Sequence, residues 1–310
     1  MTGVSACLII WKKKSVSPTL FPMSEIDRAI SHSTGRPFHN RSSTSLGGGC
    51  INQASRITGE DGREYFLKQN HASFLAFFEA EARALTEIRD TQSVRAPEVI
   101  AYGQAQDKAF LVLEFIEEGS SSSKSQEKMG AQLAKMHQVE QPHFGWGVDN
   151  CIGATPQPNP KHDHWPEFYR DHRLGHQFRL AEKKGRKFQG SEDLLACISS
   201  FFSNYTPRPS LLHGDLWGGN ASQDKNGEPF IFDPASYYGD READLAFTYM
   251  FGGFSHAFYH AYEREYPLDP GFGVRKVLYN LYHELNHFNL FGGGYASSAQ
   301  SSIDQLLQAA

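Results

Sequence analysis

The sequence predicts an α+β protein of two lobes: a β-rich N-terminal lobe carrying one helix, then a larger, mainly helical C-terminal lobe. Three observations predict it. The texture changes after Gly119, from short apolar runs separated by turn residues to longer stretches with helical spacing. The first part places Lys68 at the end of a strand-like run, YFLK, and Glu81 thirteen residues later in a helix-like run. The second part contains LLHGDLWGGN, Leu211 to Asn220, followed by a run that begins IFDP at Ile231. A length of 310 residues suits about two domains. The lobes are expected to be 23–118 and 119–310, meeting in the segment Ile116 to Ser125.

The elements follow in chain order. An apolar stretch, Val4 to Trp11, precedes Lys12, Lys13 and Lys14, the reverse of a secretory signal. Residues 1–22 read either as a disordered extension or as an over-long gene start ahead of Met23. Ile26, Ala29 and Ile30 give Ser24 to Ser33 a helical period. SSTSLGGGC, ending at Cys50, reads as a loop. Ile51 to Thr58 and Glu64 to Lys68 read as a hairpin about the turn Glu60-Asp61-Gly62. Ser73 to Ile88 is rich in good helix formers. Val99 to Tyr102 and Phe110 to Phe115 are short strands, and the unbroken apolar run of the second predicts burial on both faces. Ser120 to Ser125 is a polar linker or helix entry. Helices are then expected over Met129 to His137, Trp165 to Lys184, Leu194 to Phe202, Ala257 to Tyr266, Arg275 to Phe288 and Ser298 to Gln308.

Composition narrows the function classes. A net charge of -5 without a dominant basic patch argues against nucleic acid as a partner. The apolar runs are shorter than the ~20 residues that span a bilayer, so no membrane partner is expected. Cys7, Cys50, Cys151 and Cys197 form no C-x-x-C pair, which suits a reducing, cytoplasmic setting.

The chemistry resides in two motifs and their upstream partners. His213, Asp215 and Asn220 form H-x-D-x-x-x-x-N, and Asp233 follows Asn220 by thirteen residues. Phosphoryl transfer needs such a set: a carboxylate that takes the proton of the attacking hydroxyl, and an amide oxygen with a second carboxylate to hold magnesium on the nucleotide phosphates. Asp215 is the candidate base, Asn220 and Asp233 the candidate Mg2+ ligands, with ATP as the nucleotide. Either motif alone would also suit an ordinary turn; the two in this order favour a site. His213 reads as a brace for the loop. Lys68 can meet the phosphates and a helix carboxylate. Glu79 competes with Glu81, but residues two apart face different ways, and Leu85 docks the Glu81 face to the core. Gly47, Gly48 and Gly49 allow close approach of backbone N–H groups to phosphates, without the Lys-Ser/Thr of a Walker loop. Cys50, on the same loop, is either an inert small residue or a redox-active thiol able to link two copies; monomer and homodimer both stay open.

Taken together, GGGCINQASR, FLVLEF, FGWGVDNCIGATPQPN, LHGDLWGGN, FDPASYYGDREADLA and LNHFNLFGGGY resemble the fructosamine/ketosamine kinase family, whose fold is protein-kinase-like and related to that of the aminoglycoside phosphotransferases. The resemblance covers roughly Ser24 to Leu307. It implies ATP-dependent phosphorylation of the 3-hydroxyl of ketosamines, free or protein-bound, and release of the amine as the unstable 3-phosphate breaks down. It also implies that the backbone of Glu114, Phe115 and Ile116 holds adenine. It places Trp217 where an aromatic ring stacks on the acceptor, and makes Asn286 and His287 polar lining of the acceptor pocket. An aminoglycoside- or choline-type phosphotransferase and a redox-switched nucleotide-binding regulator are the competing readings.

Overall fold

The computed structural model describes residues 23–47 and 51–310. The expectations for residues 1–22 and for Gly48, Gly49 and Cys50 lie outside the described residues.

Helix α1 (Glu25–Thr34) starts where the Ser24 hydroxyl accepts the Asp27 N–H at 3.0 Å, and it ends at Gly35 with φ 66°. Five strands follow: β1 (Asn40–Leu46), β2 (Gln53–Gly59), β3 (Glu64–His71), β4 (Val99–Ala105) and β5 (Lys108–Glu114). They form one antiparallel sheet in the order β1-β2-β3-β5-β4. Strand β1 corrects the expectation of a loop: Ser42 to Leu46 are paired residue by residue with β2. All its residues but Leu46 are polar and exposed at the sheet edge, so no apolar alternation marks it in the sequence.

Between β3 and β4 runs α2 (Leu75–Asp90), entered through a 3-10 turn at Ala72–Phe74. Strand β5 is buried from Ala109 to Leu113, as its apolar run predicts. Period two divides its side chains between two layers. Phe110 and Val112 join Ile30, Phe38, Tyr65 and Leu67 on the α1 side, while Leu111 and Leu113 join Phe78, Leu85 and Ile88 on the α2 side. Lys68 pairs with Leu111 and follows Leu67, so the same alternation turns its side chain toward α2.

The chain leaves the sheet after Glu114 and enters α3 (Ser123–Met136) through a reciprocal cap between Ser122 and Ser125. The remainder comprises a short hairpin, β6 (Asn150–Ile152) with β7 (Thr155–Gln157), then α4 (Trp165–Tyr169), α5 (Gly175–Lys183), α6 (Ser191–Cys197), β8 (Ser210–Leu212), β9 (Ala221–Gln223), β10 (Pro229–Ile231), β11 (Tyr237–Gly239), α7 (Arg241–Phe247), α8 (His256–Glu265), α9 (Phe272–Phe291) and α10 (Tyr295–Ala309). The single helix expected over Trp165 to Lys184 is interrupted by a π-helical turn at Arg170–Leu174. The one expected over Leu194 to Phe202 ends in a 3-10 turn from Ile198. Helix α7 had no sequence signal because all seven of its residues are buried, leaving no polar stripe to set a period.

Two short strand pairs position the site. Strand β8 pairs with β11, and β9 pairs with β10. The second pair also ties the sheet to the helical body: Ile231 N–H donates to Arg95 C=O at 3.0 Å, and Gly119 N–H to Gln223 C=O at 2.8 Å.

Candidate active site

Lys68 is 3% exposed, and its ammonium lies 2.6 Å from Glu81 Oε1 and 2.5 Å from Asp233 Oδ1. Burial alone would pull its pKa down, but the charges of Asp233 and Glu81 overcome that and hold it above the ordinary lysine value. Glu79 is exposed, so Glu81 alone of the two candidates meets the lysine. Burial raises the Glu81 carboxyl, Lys68 pulling it back and Asp233 adding to the rise. Helix α2 is fixed from a second side as well. Glu87 accepts the Trp146 indole N–H and the Tyr238 hydroxyl, each at 2.8 Å, and the Arg83 guanidinium lies 4.9 Å from the centre of the Trp146 ring.

The loop from His213 to Asn220 leaves β8, and the turn carrying Asp233 follows β10. Strands β9 and β10 bring the ends of these segments together. Ala221 pairs with Ile231, and Phe232 N–H donates to Asn220 C=O at 3.0 Å, which places Asn220 beside the residue preceding Asp233. Asn220 Nδ2 donates to the Asp215 carbonyl at 2.9 Å and to Asp215 Oδ2 at 3.1 Å, so its Oδ1 faces elsewhere. Asp233 has φ 58°, a left-handed conformation that aspartate tolerates better than most residues but that still costs energy. Asp215 is raised well above the usual carboxylate range, first by burial and then by the charge of Asp233, with the Asn220 hydrogen bond opposing.

Asn220 Oδ1 and the Asp233 carboxylate are hard oxygen donors on adjacent backbone. Among the described residues no group of three or more His, Cys, Asp or Glu could enclose a metal. An amide and one carboxylate, with the remaining positions left to phosphates and water, is the sparse set that magnesium accepts. The residues therefore fit a nucleotide-bound divalent cation rather than a dedicated metal cage.

The loop is held from beneath by Asp244 on α7, which the sequence reading passed over. Its carboxylate accepts the His213 N–H at 2.6 Å and the Gly214 N–H at 2.7 Å. It also faces His137 Nε2 at 3.2 Å, and His137 Nδ1 meets the Tyr262 hydroxyl at 2.7 Å. His213 braces the loop: Nδ1 accepts the Asp215 N–H at 3.2 Å, so Nε2 carries the proton and donates to Phe232 C=O at 2.9 Å. Gly214 has φ 81°, and a Cβ there would lie 2.1 Å from the Ala235 carbonyl. Only glycine fits between the two segments.

Beyond Asp215 the surface is aromatic. Trp217 is 36% exposed, and a Cβ on Gly219 would lie 2.3 Å from its ring. Its ring meets Phe251 edge-on at 5.7 Å, and Phe251 lies 5.3 Å from His287. His287 donates from Nδ1 to His283 C=O at 2.7 Å only if that nitrogen carries the proton, which leaves Nε2 as an acceptor. Asn286 is kept apart from this row. It is 2% exposed, with its Oδ1 accepting from Gln177 at 3.3 Å and its Nδ2 reaching Ile152 C=O at 3.5 Å.

At the sheet edge, Glu114 N–H donates to Glu98 C=O at 2.8 Å, and its carboxylate takes Arg95 at 2.6 Å. Arg95 in turn reaches Asp224 at 2.7 Å, fastening the crossing to the β9–β10 hairpin. The N–H and C=O of Ile116 have no hydrogen-bond partner among the described residues, so that backbone can receive an adenine edge. A Cβ on Gly47 would meet nothing within 4 Å.

A family model described as fructosamine kinase matches residues 22–309. A probable ketoamine kinase of Synechocystis is 45% identical over 289 residues, spanning 93% of this chain and 97% of the relative. The chloroplastic protein-ribulosamine 3-kinase of Arabidopsis thaliana is 42% identical, spanning 85% and 82%. The crystal structure of a candidate fructosamine-3-kinase from Haemophilus somnus superposes with a TM-score of 0.86 at 30% identity, over 91% of this chain and 96% of that one.

Proposed function

The chain belongs to the fructosamine kinase family and acts as a kinase on ketosamines, and we propose that it transfers the γ-phosphoryl group of ATP to the sugar 3-hydroxyl. The observation that carries the residue assignment is the convergence of Lys68, Glu81, Asp215, Asn220 and Asp233, drawn from β3, α2, the loop after β8 and the turn after β10. In this proposal the two-lobe division falls at 118/119, with the nucleotide between the sheet and the helical body.

Lys68, oriented by Glu81, binds the phosphates. Asn220 Oδ1 and Asp233 would hold Mg2+, which would supply positive charge to offset that of the phosphates. Asp215 orients the acceptor hydroxyl and receives its proton on the carboxylate as the oxygen attacks the γ-phosphorus and the bond to the departing ADP breaks. Its half-buried position and the hydrogen bond from Asn220 support that role. The backbone at Ile116 takes the adenine, and Trp217 supports the acceptor. An aminoglycoside acceptor, being polycationic, calls for carboxylates; the row beside Asp215 consists instead of Trp217, Phe251 and His287, which favours a sugar with a single amine. The test is ATP consumption on ribulosamine, fructosamine and an aminoglycoside in parallel, with Asp215→Asn as blank. Turnover on a ketosamine above that blank supports the proposal, and turnover on the aminoglycoside alone rejects it.

A further inference from the structure

We propose that His283 is a specificity-determining residue for the acceptor, hydrogen-bonding a hydroxyl of the ketose chain through its imidazole. The inference rests on the ketosamine reading and adds a residue to it.

The first support is position. His283 and His287 lie one turn apart on α9, joined by the hydrogen bond from His287 Nδ1 to His283 C=O. The His283 ring stacks on Phe247 at 3.5 Å with only 5° between the planes. Phe247 lies 6.2 Å from Phe251, which meets both Trp217 and His287. The rings thus form a continuous wall running from Trp217, two residues past the candidate base, inward to His283. On its other edge His283 meets Tyr282 at 5.2 Å, and the Tyr282 hydroxyl is fixed on Gln157 of β7 at 2.6 Å.

The second support is an unmet hydrogen-bonding capacity. His283 is 5% exposed, yet neither ring nitrogen has a hydrogen-bond partner among the described residues, and its Nδ1 is sealed from solvent. Buried polar side chains are nearly always paired, and an orphan is costly to the fold. His137 and His213, equally buried, each have both ring nitrogens engaged. His283 is the exception, and it is the one on the acceptor wall.

The chemistry of the neighbours selects the partner. The groups acting on His283 are His287 and Arg173, after burial, and all three favour the neutral ring. A neutral imidazole beside a buried guanidinium suits a hydroxyl and disfavours the substrate's ammonium. Trp217, at the open end of the wall, is the better place for the amine. His283 therefore reads the sugar, and the amine points outward.

The test compares wild type, His283→Leu and His283→Gln on ribulosamine and fructosamine, with KM and kcat for each, KM for ATP, and the melting temperature. Leucine removes both nitrogens at similar volume; glutamine restores an amide near Nε2. The proposal expects His283→Leu to raise ketosamine KM about tenfold, the loss of one neutral hydrogen bond, while KM for ATP holds and melting temperature does not fall. His283→Gln should recover most of that loss. An active wild type whose His283→Leu variant keeps its ketosamine KM overturns the proposal, as does a variant that only melts earlier. A wild type idle on both ketosamines overturns the functional reading and this one with it.

Discussion

The ammonium of Lys68 lies 2.5 Å from the carboxylate of Asp233, a residue 165 positions further along the chain. That contact joins the sheet to the turn after β10, and Glu81 completes a triad around one buried positive charge. The triad holds one cation against two carboxylates, so its stability depends on the lysine.

Lys68→Met should therefore harm folding as well as chemistry. It leaves the mostly buried Glu81 facing the half-exposed Asp233 without a cation, at a cost of about 1–3 kcal/mol, below that of a fully buried pair. Urea unfolding should show that loss, and adding Glu81→Gln to the variant should return part of it. Unfolding that is unchanged in Lys68→Met contradicts the triad.

Asp244 anchors the loop that carries Asp215 through two backbone N–H groups at 2.6 and 2.7 Å. Asp244→Asn keeps the size but turns one acceptor into a donor facing an N–H. Expected are a stability loss of about 2–3 kcal/mol and a fall in kcat larger than any change in KM for ATP. A variant with wild-type kcat would show that the loop holds its shape without this carboxylate.

Glu87 ties α2 to Trp146 and Tyr238. Glu87→Ala should lower kcat about tenfold, the scale of losing one to two hydrogen bonds that hold Glu81 in place. Hydrogen exchange should quicken in α2 and not in α9. Equal exchange in both helices, with unchanged kcat, removes Glu87 from the account.

His137 gives a pH dependence with a definite sign. Burial lowers its pKa below 6.5, against the pull of Asp244. Below about pH 6.5 the unfolded chain takes a proton that the folded chain resists, so this residue's contribution to stability falls as pH falls, by up to about 1.4 kcal/mol per pH unit. Asp215 and Glu81, whose pKa values are raised, act in the opposite direction, so the effect must be read as a difference. The stability gap between wild type and His137→Gln should be largest above about pH 7 and shrink steadily toward about pH 5. A constant gap contradicts a neutral, buried His137.

Much of the site was legible in the sequence because its residues are exceptions to local rules. Asp215 and Asn220 fall in a glycine-rich turn between apolar runs, Asp233 follows the apolar run IF, and Lys68 closes the apolar run YFL, although β3 continues past it to His71. Those departures made them visible, and the short pairs β8–β11 and β9–β10 explain why they meet. Asp244 and His137 were invisible for the opposite reason. Asp244 lies within α7 and His137 directly follows α3, and their partners include backbone groups and a tyrosine more than twenty-five residues away. Strand β1 escaped notice because an exposed edge needs no apolar alternation. The family resemblance made Asn286 pocket lining together with His287, but adjacent helical positions face about 100° apart, and Asn286 turns into the packing against Gln177.

The most direct measurement is phosphorus NMR of the product made from ATP, Mg2+ and ribulosamine or fructosamine, by wild type and by Asp215→Asn. The account predicts a new phosphate ester coupled to the C3 proton, formed by wild type and slowed about 100- to 10,000-fold by the substitution. An ester at another carbon, or one formed equally well by Asp215→Asn, would contradict it.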